Sequence, residues 1–251
     1  IGLLIEPIHP GSEGGDLPES RPRPPSPDPS DQSRIDPVTP SRRRFLESSA
    51  ALLAFGSVGL AAHPAAAQGA FDAAEMIKPG VLPDMALGKA DAPITVIEYS
   101  SMTCGHCANF HKNVFPYLKE KYIDAGTVYF VHREFPLDPL AAAVSMLVRC
   151  APKEKYFDML SMFFEQQSNW IRTDNPVDAL SKLSRQVGYT PESFKACLTD
   201  QKLLDDITAG RTRAADKYRV DGTPAFFVNG RPSKGIASKE DLDKALAPFL
   251  K

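Results

Sequence analysis

A run of β-branched and apolar residues, Ile94-Thr95-Val96-Ile97-Glu98-Tyr99, passes within five residues into Cys104-Gly105-His106-Cys107 and a helical stretch. That junction limits the fold more than any other feature of the chain. The first segment reads as a buried strand. The helical stretch is expected to run to about Tyr122, where Asp124-Ala125-Gly126 ends it, and Thr127–His132 reads as the next strand. Turns this short make a strand–helix–strand unit with parallel strands.

Residues 138–218 hold no convincing strand. Their periodicity predicts helices over about 138–151, 153–168, 176–187, 191–200 and 203–218. Thr190-Pro191 supplies an N-cap followed by proline at the first helical position, and Gly188 closes the helix before it. Strands return at Ala225–Val228. Asn229-Gly230 then signals a hairpin into Arg231–Gly235, and Ser238 starts a last amphipathic helix. The order is βαβ, helices, ββα. The expected class is α/β: a thioredoxin-like domain over 93–137 and 219–251, interrupted by a helical insertion over 138–218. Residues 71–92 are expected to be an irregular lead-in.

The cysteine pair carries the chemistry. At a helix N-terminus, unpaired backbone N–H groups and the macrodipole stabilise an anion. Cys104 is placed to use them, so its thiolate should be populated and act as the nucleophile. Cys107, one turn further in, is the resolving thiol. A protonated His106 beside the thiolate favours the reduced form, which makes the disulfide form the better oxidant. Gly105 leaves the turn less constrained and the redox poise open. Cys104, Cys107 and His111 could instead hold zinc, but a structural zinc site wants four ligands and no second paired group is present. His111 then reads as a polar residue on the helix face. No metal and no cofactor is expected.

Composition narrows the setting. Residues 1–67 hold six Arg, no Lys and eight acids, leaving 23 basic and 23 acidic residues in the body. A neutral body has no electrostatic footprint for nucleic acid. Residues 1–40, with ten prolines, read as disordered or as an untranslated upstream segment with Val38 a candidate start. Ser41-Arg42-Arg43-Arg44-Phe45-Leu46 followed by Ser48–Ala62 reads as a twin-arginine-like export signal over 41–70, cleaved near Ala67 or Ala70. The alternative is an uncleaved anchor helix. Export implies an oxidising, periplasmic setting.

The chain resembles the DsbA-like thiol oxidoreductases of the bacterial cell envelope over roughly residues 88–250. The resemblance rests on Ile94–Tyr99, Cys104–Cys107, Arg133-Glu134-Phe135-Pro136-Leu137, the helical block and Gly222-Thr223-Pro224-Ala225-Phe226-Phe227-Val228-Asn229-Gly230. It implies a cis Thr223–Pro224 bond facing the dithiol, with the Thr223 backbone free to pair with an extended substrate. For Glu98 it implies a proton acceptor for Cys107; the other reading is a strand-end residue facing solvent or a lysine. Cys150 and Cys197 are either a structural disulfide, as in some relatives, or two buried thiols. The implied partners are unfolded exported polypeptides and a DsbB-like membrane quinone reductase. Residues 71–87 look too short and proline-broken for an oligomerising stalk, so a monomer is expected. Gly105, where the best-known members have proline, and the two extra cysteines are departures from the family pattern. An isomerase or reductase, or a non-catalytic chaperone or metal carrier, are the rival functions.

Overall fold

The structure, a computed structural model, describes residues 71–233 and 235–250. The expected disordered segment 1–40 and export signal 41–70 lie outside the described residues. No helix among the described residues is long and apolar enough to cross a membrane.

A five-stranded sheet forms the centre. Its strands are β1 (Met85–Leu87), β2 (Ile94–Ser100), β3 (Val128–Glu134), β4 (Ala225–Val228) and β5 (Arg231–Ser233), in spatial order β1-β3-β2-β4-β5. β2 and β3 are parallel; every other pairing is antiparallel. The helix α2 (Gly105–Asn113) makes the crossover between β2 and β3. It does not continue unbroken to Tyr122. Pro116 has no N–H to donate into the preceding turn, so the chain restarts as α3 (Phe115–Leu118) and a π-helical turn (Lys119–Ile123).

The lead-in is not irregular. It forms α1 (Ala73–Ile77) and the edge strand β1, which pairs with β3. Three residues are too few for an alternation signal. Gly88, at φ +89°, ends β1 where a Cβ would lie 2.4 Å from the Val128 carbonyl oxygen, so the chain can pass only without a side chain. At the opposite edge Asn229 (φ +47°) and Gly230 (φ +77°) both adopt the left-handed region that a tight hairpin requires.

The helical block comprises α4 (Pro139–Cys150), α5 (Tyr156–Glu165), α6 (Gln167–Ile171), α7 (Pro176–Gln186), α8 (Pro191–Leu198) and α9 (Gln201–Tyr218); α10 (Lys239–Leu246) follows the hairpin. Side chains alternate across the sheet. Ile94 and Val96 pack under α2, α3 and α10 with Phe110, Leu118, Leu242 and Leu246. Ile97 and Tyr99 face the other way, onto Met76 of α1 and Ala214 and Tyr218 of α9. The last helix of the block therefore shares the sheet's own core. A third core, built on Val144, Leu147, Leu160, Phe163, Phe164 and Trp170, reaches the sheet at Met85 of β1 and the cysteine loop and α2 at Met102 and Cys107.

Cys150 at the end of α4 is bonded to Cys197 of α8, with Cα atoms 6.1 Å apart and 47 residues between them in sequence. A loop of that length predicts that Cys150→Ser with Cys197→Ser lowers stability by roughly 3–4 kcal/mol. Urea denaturation of the unreduced proteins checks it; a loss under about 1 kcal/mol would show that α4 and α8 hold without the bond.

Candidate active site

Cys104 is the N-cap of α2, four residues beyond the end of β2. Its half-buried sulfur accepts a hydrogen bond from the Cys107 backbone N–H at 3.3 Å, and as a thiol it donates to the Thr223 carbonyl oxygen at 3.3 Å. Its pKa is lowered to about 5. The largest cause is the hydrogen bond from the Cys107 thiol; Thr223 and the backbone N–H groups of Cys107 and His106 add to it, and partial burial opposes it. Cys107 is fully buried. Burial, its hydrogen bond to Cys104 and the negative charge of Glu98 push its thiol far up. One sulfur is thus a thiolate at neutral pH and the other a thiol. His106, between them, is exposed.

The Thr223–Pro224 peptide is cis and sits in the loop before β4, against Cys104. A groove of about 640 Å³ runs on from it, lined by Tyr218, Val220, Pro224, Phe227, Pro232 and Phe71.

Glu98 is at neither a strand end nor the surface. It is 0% exposed and pairs with His111, Oε2 to Nε2 at 2.9 Å, not with a lysine. His111 is therefore not a polar face residue of α2. It is buried, stacked on Phe164 with ring centres 4.5 Å apart. His132 stands opposite Glu98 in the parallel register of β2 and β3. Its Nε2 meets the Ser100 hydroxyl at 2.6 Å and its Nδ1 the Tyr156 hydroxyl at 2.7 Å, and Tyr156 donates to Glu134 Oε1. Glu134 closes on Arg149 through two bonds of 2.6 and 2.7 Å. Burial pushes His132 down to about 4, the charges of Glu98 and Glu134 opposing, so it is neutral at neutral pH.

Glu98, His111 and His132 bring one ligand-type atom each within 4.8 Å of one another. Glu98 Oε2 and His111 Nε2 already bond each other, and both nitrogens of His132 are engaged. These residues are built as a hydrogen-bonded cluster. His111 faces Glu98, so it does not join Cys104 and Cys107 as a zinc set.

The sequence reading named His111 but not its pairing with Glu98, and it missed His132 and Gln167. His111 is four residues after Cys107 and so shares its face of α2. His132 could have been found as the polar residue of the second strand at the position matching Glu98 in the first. Gln167 of α6 donates to the Met102 and Cys104 carbonyls at 2.8 and 3.0 Å, tying the cysteine loop to the helical block. No short-range pattern signals it.

The thiolate has a direct consequence for pH. Because the folded value lies below the ordinary thiol value of 9.0, the reduced fold gains stability from Cys104 as pH rises from about 5 towards 9, and loses it as pH falls through about 5. Ultraviolet absorbance of the thiolate, and iodoacetamide labelling of Cys104 in the reduced protein, should both titrate near pH 5. A midpoint at the ordinary thiol value would contradict this.

A family model described as thioredoxin matches residues 81–247. A Rickettsia bellii chain assigned by name as a protein-disulfide oxidoreductase is 37% identical over 167 residues, 65% of this chain and 64% of that relative, so the match spans a little under two thirds of its length. The crystal structure of Wolbachia pipientis alpha-DsbA1 is 30% identical with a TM-score of 0.65, covering 71% of this chain and 96% of that one. Disulfide bond formation protein D of Bacillus subtilis is 25% identical over 182 residues, 69% of this chain and 80% of that relative. With a dithiol at the N-terminus of α2 facing a cis proline, this chain belongs to the DsbA-like thiol–disulfide oxidoreductases of the thioredoxin superfamily.

Proposed function

We propose that the protein is a dithiol oxidase: it introduces disulfides into exported polypeptides by exchange at Cys104–Cys107. The observation that carries this is the asymmetry of the pair, an anionic sulfur at Cys104 against a buried thiol at Cys107. A substrate thiolate attacks Cys104 Sγ of the protein disulfide and Cys107 leaves, taking up a proton. A second substrate thiolate attacks the substrate sulfur of the mixed disulfide, and Cys104 leaves as a stable thiolate. Two electrons pass from substrate to protein. A good leaving group at Cys104 favours this direction, since stabilising the reduced form raises the potential. Exposed His106 adds to it when protonated. The groove beside Thr223–Pro224 suits an extended peptide read through its backbone, and so suits many unfolded substrates.

The setting belongs to the same proposal. Residues 41–70 act as a twin-arginine-like signal, cleaved near Ala67 or Ala70, delivering a periplasmic monomer. A DsbB-like membrane quinone reductase returns Cys104–Cys107 to the disulfide. Catalysis needs no cofactor, because the two sulfurs of the Cys104–Cys107 disulfide accept the electrons themselves.

Oxidative refolding of a reduced, unfolded substrate tests the function, run beside insulin reduction and scrambled-ribonuclease rearrangement. Stoichiometric oxidation of substrate by the disulfide form, with weak rearrangement, is expected. Strong rearrangement or efficient insulin reduction without substrate oxidation would replace the oxidase with an isomerase or reductase.

A further inference from the structure

Two buried polar atoms without a hydrogen-bond partner among the described residues, Glu98 Oε1 and His111 Nδ1, belong to one residue pair. The pair makes a single bond, between the remaining oxygen and the remaining nitrogen. Its neighbours are fully engaged: His132 through both nitrogens and Glu134 through both oxygens. Buried polar atoms are normally satisfied, so an open carboxylate oxygen beside a saturated network calls for a reason.

A carboxylate oxygen accepts, so this bond is made with His111 Nε2 as the donor, and Nδ1 has no partner among the described residues. The ring is walled by Phe110, Phe115 and Phe164. One oxygen of Glu98 is thereby held, and the other is left as a free acceptor whose charge acts on the Cys107 thiol.

We propose that His111 is a positioning residue for the exchange reaction: its Nε2 bond holds one oxygen of Glu98 and so orients the other, Oε1, as the acceptor that the family resemblance implies for the Cys107 proton. This rests on the exchange function proposed above. With a thiol compound bound to Cys104, the Cys107 S–H bond breaks and its proton passes to Glu98 Oε1, directly or through one water. The thiolate forms the Cys107–Cys104 bond as the bond from Cys104 to the leaving sulfur breaks. The leaving sulfur departs with the electron pair of the broken bond and takes a proton from water; Cys107 is oxidised to the disulfide level as the leaving sulfur is reduced to the thiol level, and Cys104 remains in a disulfide throughout. In the oxidising direction the same proton returns to Cys107.

The ionisable groups around His111 are Cys107 on its own helix, Glu98 on β2, His132 and Glu134 on β3, Arg149 on α4 and Tyr156 on α5. Glu134 and Arg149 neutralise each other, and His132 is held neutral by burial. His111 is thus the imidazole that governs Glu98.

The test is the pH profile of one step. The full protein is prepared with glutathione disulfide-bonded to Cys104, jumped in pH, and glutathione release by Cys107 is measured per folded molecule. Circular dichroism and melting give the folded fraction. His111→Phe keeps the ring stack but leaves a buried carboxylate with no partner, which favours the neutral acid. Release at about pH 7 is expected to fall by at least about 10-fold, with the profile moved to higher pH. His111→Gln, which restores a donor at the same reach, is expected to recover most of the rate. Glu98→Gln should be as slow as His111→Phe, and the double variant no slower. A wild-type profile in His111→Phe, or a multiplicative loss in the double variant, overturns the assignment. Absence of release by the unaltered protein at any pH would instead overturn the exchange function itself.

Discussion

Cys104→Ser is expected to abolish disulfide exchange, and Cys107→Ser to leave a protein that captures one half of a disulfide compound on Cys104 and cannot release it. The two outcomes differ because the two sulfurs differ. Cys104 is half-buried, caps α2 and is an anion above about pH 5. Serine there offers neither a disulfide sulfur nor an accessible anion, so no mixed disulfide forms. Losing a nucleophile of this kind costs at least about 1,000-fold, down to the uncatalysed background. Cys107 is walled off, so its function is internal. As a neighbour held against Cys104 it attacks with a high effective concentration, and removing it leaves only slow attack by external thiols. Non-reducing electrophoresis with an unfolded, disulfide-containing substrate, whose sulfur–sulfur bond the Cys104 thiolate attacks, reads both. Mixed disulfides with Cys107→Ser and none with Cys104→Ser are predicted; adducts on Cys107 in the Cys104→Ser protein would reverse the assignment.

Arg149→Ala is expected to destabilise the fold by about 3–5 kcal/mol, the largest effect of any single substitution away from the dithiol. Arg149 and Glu134 are both buried, and their double bond joins α4 to β3. Arg149 also donates to the Pro83 carbonyl at 2.7 Å, just before β1. Its pair holds Glu134 below the usual carboxylate range against the opposing effect of burial. Truncation leaves that carboxylate buried with only Tyr156 for company, the costly half of a broken pair. Replacing both partners by apolar residues of similar volume should cost much less, because no charge is stranded. Urea denaturation of Arg149→Ala and of Glu134→Leu with Arg149→Met checks this. A single variant within about 1 kcal/mol of the unaltered protein would mean that water reaches Glu134.

The sheet centre and most helices of the block were legible because each carries its own period. β2 and β3 are β-branched runs, Thr190 and Ser238 mark the starts of α8 and α10, and Asn229-Gly230 marks the turn between β4 and β5. What escaped depends on contacts between segments distant in sequence. β1 is three residues long and exists because β3 offers it an edge. The break at Val114–Pro116 was signalled by the proline, but the helical pattern continues across it. At the site, the dithiol and Thr223–Pro224 stand out as motifs, whereas Glu98 was ambiguous. A carboxylate in a strand reads alike whether it faces water or a histidine, and only the packing of α2 on the sheet brings His111 over it. Gln167 reaches the cysteine loop across 63 residues, beyond any local pattern.

The reduction potential of the Cys104–Cys107 couple, measured against glutathione at about pH 7, tests the central claim that this is an oxidant. The low pKa at Cys104 stabilises the reduced form, and about 30 mV corresponds to about 1.4 kcal/mol for the two-electron couple. The predicted potential therefore lies well above the roughly −270 mV of a reducing thioredoxin, towards the range of about −120 to −180 mV where oxidising pairs operate. A value at or below about −250 mV would contradict the account.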